Sequence, residues 1–159
     1  MSLKQKINDD MKQAMKTADK RRLDCLRMVK ARMLEAEVSL RAAKGRDYEL
    51  DDAEVLGVLT SYAKQRRDSI DSFRQGGREE MAAAEEAELA IIQEYMPRQL
   101  SADEIRGIVT QAVAASGASS AKDTGAVMKL VMPQVKGKAD GKLVSQIVGE
   151  ILSRKTSAS

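Results

Sequence analysis

Met132-Pro133-Gln134-Val135-Lys136-Gly137-Lys138-Ala139-Asp140-Gly141-Lys142-Leu143-Val144 is the stretch from which the rest of this chain can be read. Three lysines, two glycines and a proline separate two apolar patterns of helical period, so it reads as a cationic hinge between short helices. Asp140 stands where an N-cap belongs and Gly141 takes the first helical position. Leu143, Val144, Ile147, Val148, Ile151 and Leu152 then supply a broad apolar face.

Moving back from the hinge, Val127, Met128, Val131 and Met132 point inward on a helix that Ser119 or Ser120 begins and Pro133 approximately ends. Before it, Ser101 and Glu104 form a Ser-x-x-Glu capping box, followed by Ile105, Ile108, Val109, Ala112 and Val113 and a stop at Gly117. Three short helices around one small core are therefore expected over residues 97–153. Residues 154–159 lack periodicity and are expected to fray. Pro97 marks the boundary, because the residue before a proline is pushed out of the helical region.

Residues 1–96 read as an N-terminal helical subdomain of about four helices. Leu3, Ile7, Met11 and Met15 recur at four-residue spacing in the first. Asp19 caps a second from Lys20 to about Leu40, with Leu23, Leu26, Met33 and Leu34 as its apolar positions and a basic outer face of Lys20, Arg21, Arg22, Arg27, Lys30 and Arg32. Ala42 to Leu50 contains Gly45 and reads as a loop. Asp51 and Asp52 open a third helix that ends at Gly76-Gly77, and a fourth runs from Arg78 to Met96. The predicted fold class is all-α.

Composition agrees. Aromatics are 3% of the 159 residues, with no Trp, so Leu, Ile, Val, Met and Ala must build the core, and only two prolines interrupt it. No run of about 18 apolar residues exists, so no membrane partner is expected. The charged start Met1-Ser2-Leu3-Lys4-Gln5-Lys6 does not read as a signal core, and the lone Cys25 suits a reducing compartment, so the expected location is cytoplasmic. Residues 1–50 carry 13 Lys/Arg against 8 Asp/Glu, residues 51–104 carry 6 against 13, and residues 105–159 carry 8 against 3. That basic, acidic, basic layout points to an anionic partner at one or both ends.

The chain has no histidine, which removes the commonest general base and the commonest metal ligand together. Cys25 lacks a histidine to activate it and reads as a core residue. Glu85, Glu86 and Glu88 lie in an Ala-rich stretch with nothing beside them to raise a pKa. No nucleophile elbow, phosphate loop or dinucleotide fingerprint is present. The expectation is therefore no catalytic residue, no metal and no cofactor.

The hinge admits two readings. Lys136, Lys138 and Lys142, with Lys122 and Lys129 on the neighbouring helix, can contact phosphates, while Gly137 and Gly141 allow close approach and Asp140 shapes the helix start. Equally, a turn capped by Asp140 with solvated lysines explains the same residues. Without an aromatic nearby to stack a base, a nucleic-acid ligand would be folded RNA gripped by its backbone.

Pro97-Arg98-Gln99-Leu100-Ser101, Gly117-Ala118-Ser119-Ser120-x-Lys122-Asp123, Gly125-x-Val127-Met128 and Val135 through Val144, in that order, resemble the YqeY family. The resemblance runs from Leu3 to about Leu152. The C-terminal half of that family is similar to the tail of GatB, the B subunit of the glutamine-dependent tRNA amidotransferase, whose Gly-Lys-Ala-Asn-Pro-Lys-Leu-Val turn corresponds to Gly137 through Val144 here. The resemblance implies a helical protein associated with tRNA, and kinship with carbon–nitrogen ligases that use glutamine as amido-N donor. The large catalytic part of GatB has no counterpart in this chain, so no residue inherits a catalytic role. What carries over is a tRNA-binding surface of Lys136, Gly137, Lys138, Asp140, Gly141 and Lys142, with Lys122 beside them. A helical protein-interaction module is the alternative, since the long helices offer an apolar groove or a charged face to a protein partner, and a carbon–nitrogen ligase acting on its own with glutamine as amido-N donor comes third.

Overall fold

Seven α-helices and one short 3-10 turn, with no strand, make up the described part of a computed structural model. It describes residues 1–158, and the side chains of residues 1–155. The all-α expectation holds. The chain divides into two compact units, Met1–Pro97 and Arg98–Ser159.

In the first unit the helices are α1 (Leu3–Lys16), α2 (Lys20–Lys44), α3 (Asp52–Gln75) and α4 (Glu79–Gln93). Side-chain caps start the first three: Ser2 accepts from the Gln5 N–H, Asp19 from Arg22, and Asp51 from Glu54 in a reciprocal capping box. Their apolar faces close on a core that includes Ile7, Leu26, Val29, Leu59 and Ile92. Truncating Leu59 or Ile92, neither of which reaches solvent, would cost about 2–5 kcal/mol by the usual cavity penalty. Polar contacts fasten the layers: Asp52 Oδ1 accepts the Leu3 N–H at 2.8 Å, and Arg66 reaches Glu85 at 3.0 Å and Glu88 at 3.5 Å while lying 4.9 Å from the Tyr62 ring centre.

Three apolar side chains expected inside point out. Met15 is exposed and Ala14 is buried in its stead, because residues four apart drift by about 40° per step around a helix and the fourth member leaves the stripe. Leu34 is exposed because the inward path of α2 runs through Met33 and Glu37. In the second unit Met132 is exposed and Val135 takes the inward place. Helix α2 also runs four residues beyond Leu40, since Ala42 and Ala43 favour helix, and it stops at Gly45 with φ of 113°.

The second unit consists of α5 (Ala102–Ser116), a 3-10 turn (Ala121–Asp123), α6 (Thr124–Val135) and α7 (Gly141–Ala158). Its core is aliphatic, built on Ile105, Val109, Val127, Val131, Ile147 and Leu152. Ser101 and Glu104 make the capping box read from the sequence, and Gly117 ends α5 in the left-handed conformation with φ of 70°. Two details differ from expectation. Pro133 lies inside the last turn of α6, which forgoes only the bond from that position to the Lys129 carbonyl and continues to Val135. And α7 continues to Ala158, so the segment expected to fray is helical up to that residue; Lys155 Nζ donates to the Ala118 carbonyl at 3.0 Å.

Candidate nucleic-acid interface

The hinge is a braced turn. After α6, the Lys136 N–H bonds to the Met132 carbonyl at 3.0 Å, and the N–H groups of Lys138 and Ala139 both reach the Val135 carbonyl, at 2.8 and 3.1 Å. Gly137 permits this fold-back with φ of 77°, a conformation that costs a side-chain-bearing residue about 1–2 kcal/mol. From across the unit, Gln99 Nε2 donates to the Gly137 carbonyl at 3.1 Å and the Leu100 N–H to the Lys138 carbonyl at 2.8 Å. Val135 and Gly137 are buried, while Lys136, Lys138 and Lys142 are exposed. The inward residues and the two bonds from Gln99 and Leu100 fix the backbone, and that fixes where the lysine side chains leave it.

Asp140 performs the capping role. Its Oδ1 accepts the Lys142 N–H at 3.2 Å and its carbonyl accepts the Val144 N–H at 3.1 Å. A carboxylate already occupies the helix start, and the amides of Lys138 and Ala139 are spent on Val135, so an anion would meet the lysine side chains here and not a cradle of backbone N–H groups. The close approach assigned to the glycines divides accordingly. Gly137 is required by its conformation, whereas a Cβ at Gly141 would meet nothing within 4 Å. Open space at Gly141 is room at the surface beside Lys142.

The ammonium groups of Lys136 and Lys138 form no ion pair among the described residues. Arg98, close in sequence to the bracing residues, is not available in the same way: its guanidinium grips Glu104 through two bonds of 2.9 and 2.7 Å. Arg98, with the Ser101 N–H, holds the Glu104 carboxyl down at about 2.

Lys122 does not join this cluster. It is exposed on the 3-10 turn that Ser120 caps, at the opposite end of α6 from Lys136. Twelve helical residues rise about 18 Å, so the two positions address different phosphates of any one polyanion. Lys129 is exposed between them. The bracing by Gln99 and Leu100 had no signal in the sequence, since it spans 38 residues and one of its two bonds uses a backbone donor.

The sequence profile described as Yqey-like protein matches residues 4–152. The chain belongs to the YqeY-like family. Its relatives include the Altered inheritance of mitochondria protein 41, mitochondrial, of Pyrenophora tritici-repentis, 27% identical over 154 residues that cover 94% of this chain and 81% of that protein. The protein of the same name from Vanderwaltozyma polyspora is 29% identical over 90 residues, and that from Eremothecium gossypii 30% over 90 residues; each match covers 57% of this chain and 46% of the relative. This YqeY-like chain thus spans less than half the length of the latter two. The cytoplasmic expectation is overturned here, because these relatives are named as mitochondrial proteins.

Elsewhere in this YqeY-like chain, Cys25 is fully buried on α2, and burial pushes its thiol up to about 12. Glu85 and Glu88 are not the open acids that the sequence suggests; they are half-buried against Arg66. Both are spent on holding α3 to α4.

Proposed function

We propose that this chain is a non-catalytic factor that associates with folded RNA, tRNA first among candidates, through the turn between α6 and α7. Lys136, Lys138 and Lys142 contact phosphates, Gly137 gives the turn its conformation, Gly141 leaves room at the surface beside Lys142, Asp140 holds the helix start, and Lys122 adds a separate contact at the far end of α6. The observation that carries the reading is the projection of Lys136 and Lys138 from a turn whose carbonyls are held by Gln99 and Leu100. Fixed cations lose less freedom on binding than cations on a loose loop.

The resemblance of this half to the GatB tail supports the same reading, and so does an aliphatic core that leaves no aromatic at the turn for stacking. Kinship with the amidotransferase enters at the level of the tail, which holds tRNA while another domain performs the chemistry.

The test is tRNA binding as a function of salt for the wild type and K136A/K138A/K142A. Three lost phosphate contacts should lower the slope of log K against log salt by about 2–3. Superimposable curves would remove the proposal. K122A alone should lower the slope by about 1 at most.

A further inference from the structure

Helix α2 has an outer face that no other described helix of the first unit covers. It buries Cys25, Leu26, Val29, Met33 and Glu37 on one side, yet Met28, Leu34 and Val38 are 49%, 53% and 57% exposed. With Ala31 between them, these side chains follow the spacing of one helix face, the pattern by which a helix meets another helix. The patch formed by Ala31, Leu34 and Val38 continues through Glu35 and Ser39 into a groove between α2 and α3, walled by Ala36, Val58 and Tyr62. The groove holds about 290 Å³. That lies at the lower limit of small-molecule sites, which run from about 300 to 1,000 Å³, and it suits an inserted side chain.

Charge says what kind of partner belongs there. Arg27, Lys30 and Arg32 border the patch, against one acid, Glu35, within it. Lys30 and Arg32 form no ion pair among the described residues, and Arg27 meets Asp24 only at 3.8 Å. A second copy packing this same face against itself would set these cations against their own kind. A bilayer surface cannot enter a groove, and the patch has no Trp or Phe to lodge among headgroups.

We infer that the outer face of α2 docks an acidic amphipathic helix of a partner protein. Its apolar row lies along Ala31, Leu34 and Val38 with one side chain lowered into the α2–α3 groove, and its carboxylates meet Lys30 and Arg32. The apolar row supplies most of the affinity, while the charges set orientation and association rate. This site is separate from the lysine turn of the second unit, and it stands whether or not that turn binds RNA.

The probe is a displayed library of helical peptides selected on the full chain, followed by anisotropy with the best synthetic peptide. Selected sequences should carry apolar residues at i, i+3 or i+4 and i+7, flanked by Asp or Glu. Binding should fall by roughly tenfold or more in L34E/V38E and in K30E/R32E. Lys30, Leu34 and Val38 are exposed and Arg32 is half-buried at the edge of the groove, and unchanged circular dichroism and thermal transitions will verify that the variants fold. Equal binding to the variants, or selection of basic or uncharged peptides, overturns the inference. So does a wild-type dimer in sedimentation that L34E/V38E dissociates, or flotation with phosphatidylserine vesicles that K30E/R32E abolishes.

Discussion

Lys4 on α1 holds the carboxylate of Glu37 on α2, with Nζ 2.5 Å from Oε1, and this pair joins the start of the chain to the middle of its second helix. Glu37 is nearly buried, and the Leu50 N–H also reaches its Oε1 at 3.3 Å while Arg41 lies 3.7 Å from Oε2. Burial would raise the carboxyl pKa, but Lys4, the Leu50 N–H and Arg41 outweigh it and hold the group below the usual carboxylate range. A carboxylate held down in the folded state stabilises above its unfolded pKa, near 4.5, and that stability is lost as pH falls through the lower folded value. We expect E37Q to lose about 2–3 kcal/mol in denaturant unfolding at neutral pH. The gap between E37Q and wild type should narrow below about pH 4.

The two glycines of the lysine turn should respond oppositely. G137A forces a side chain into a φ of 77° and should lower stability by about 1 kcal/mol. G141A sits at an open helix start and should be neutral or raise stability by about 0.5 kcal/mol. If Gly141 serves ligand approach, G141A will weaken tRNA binding without lowering the unfolding midpoint. That combination separates a binding role from a folding role.

Ala18 joins α1 to α2 with a φ of 57°, a conformation that favours glycine. Its N–H reaches the Met15 carbonyl at 3.4 Å, and the neighbouring Asp19 N–H reaches Ala14 at 3.0 Å, so the surroundings hold the turn. A18G should relieve about 1–2 kcal/mol of strain while adding about 0.5–1 kcal/mol of unfolded-chain entropy. The expected net gain, up to about 1.5 kcal/mol, would appear as a higher thermal midpoint.

Cys25 should be silent toward thiol reagents in the folded chain. Its sulfur is fully buried and its pKa stands near 12, so at pH 8 almost no thiolate is present. A disulfide-exchange reagent should label it only at the rate of opening, and fully in denaturant. Rapid labelling of the native protein would contradict the packing of α2 against α4, where the Sγ lies 3.8 Å from the Glu88 carbonyl.

Much of this architecture was legible because the chain punctuates itself. Asp19, Asp51, Ser101 and Asp140 act as caps where their side chains and spacing predict, and Gly117 ends its helix in the left-handed region. Local rules suffice for such features, since each residue bonds within a few positions of itself. Inward and outward assignments failed at Met15, Leu34 and Met132, where one more or one fewer residue along a helix turns a side chain by about 100° and only the neighbouring helix decides which position wins. The three lysines of the turn were legible as a cluster; Lys122, read as lying on the neighbouring helix and added through the family resemblance, stands at the far end of α6 from them. An apolar groove on the long helices was expected, but not that Leu34 would belong to it, because Leu34 reads as core until the path through Met33 and Glu37 is known.

Gln99 and Leu100 stand just where the polypeptide enters its second unit, and the same two residues hold the carbonyls of Gly137 and Lys138. The doorway of that unit and its lysine turn are thus one hydrogen-bonded joint. Tension on the incoming segment and a load on the lysines act on shared bonds, so each is felt by the other. Stretching the connecting segment would loosen the turn, and anything that holds the turn would stiffen the connection in return.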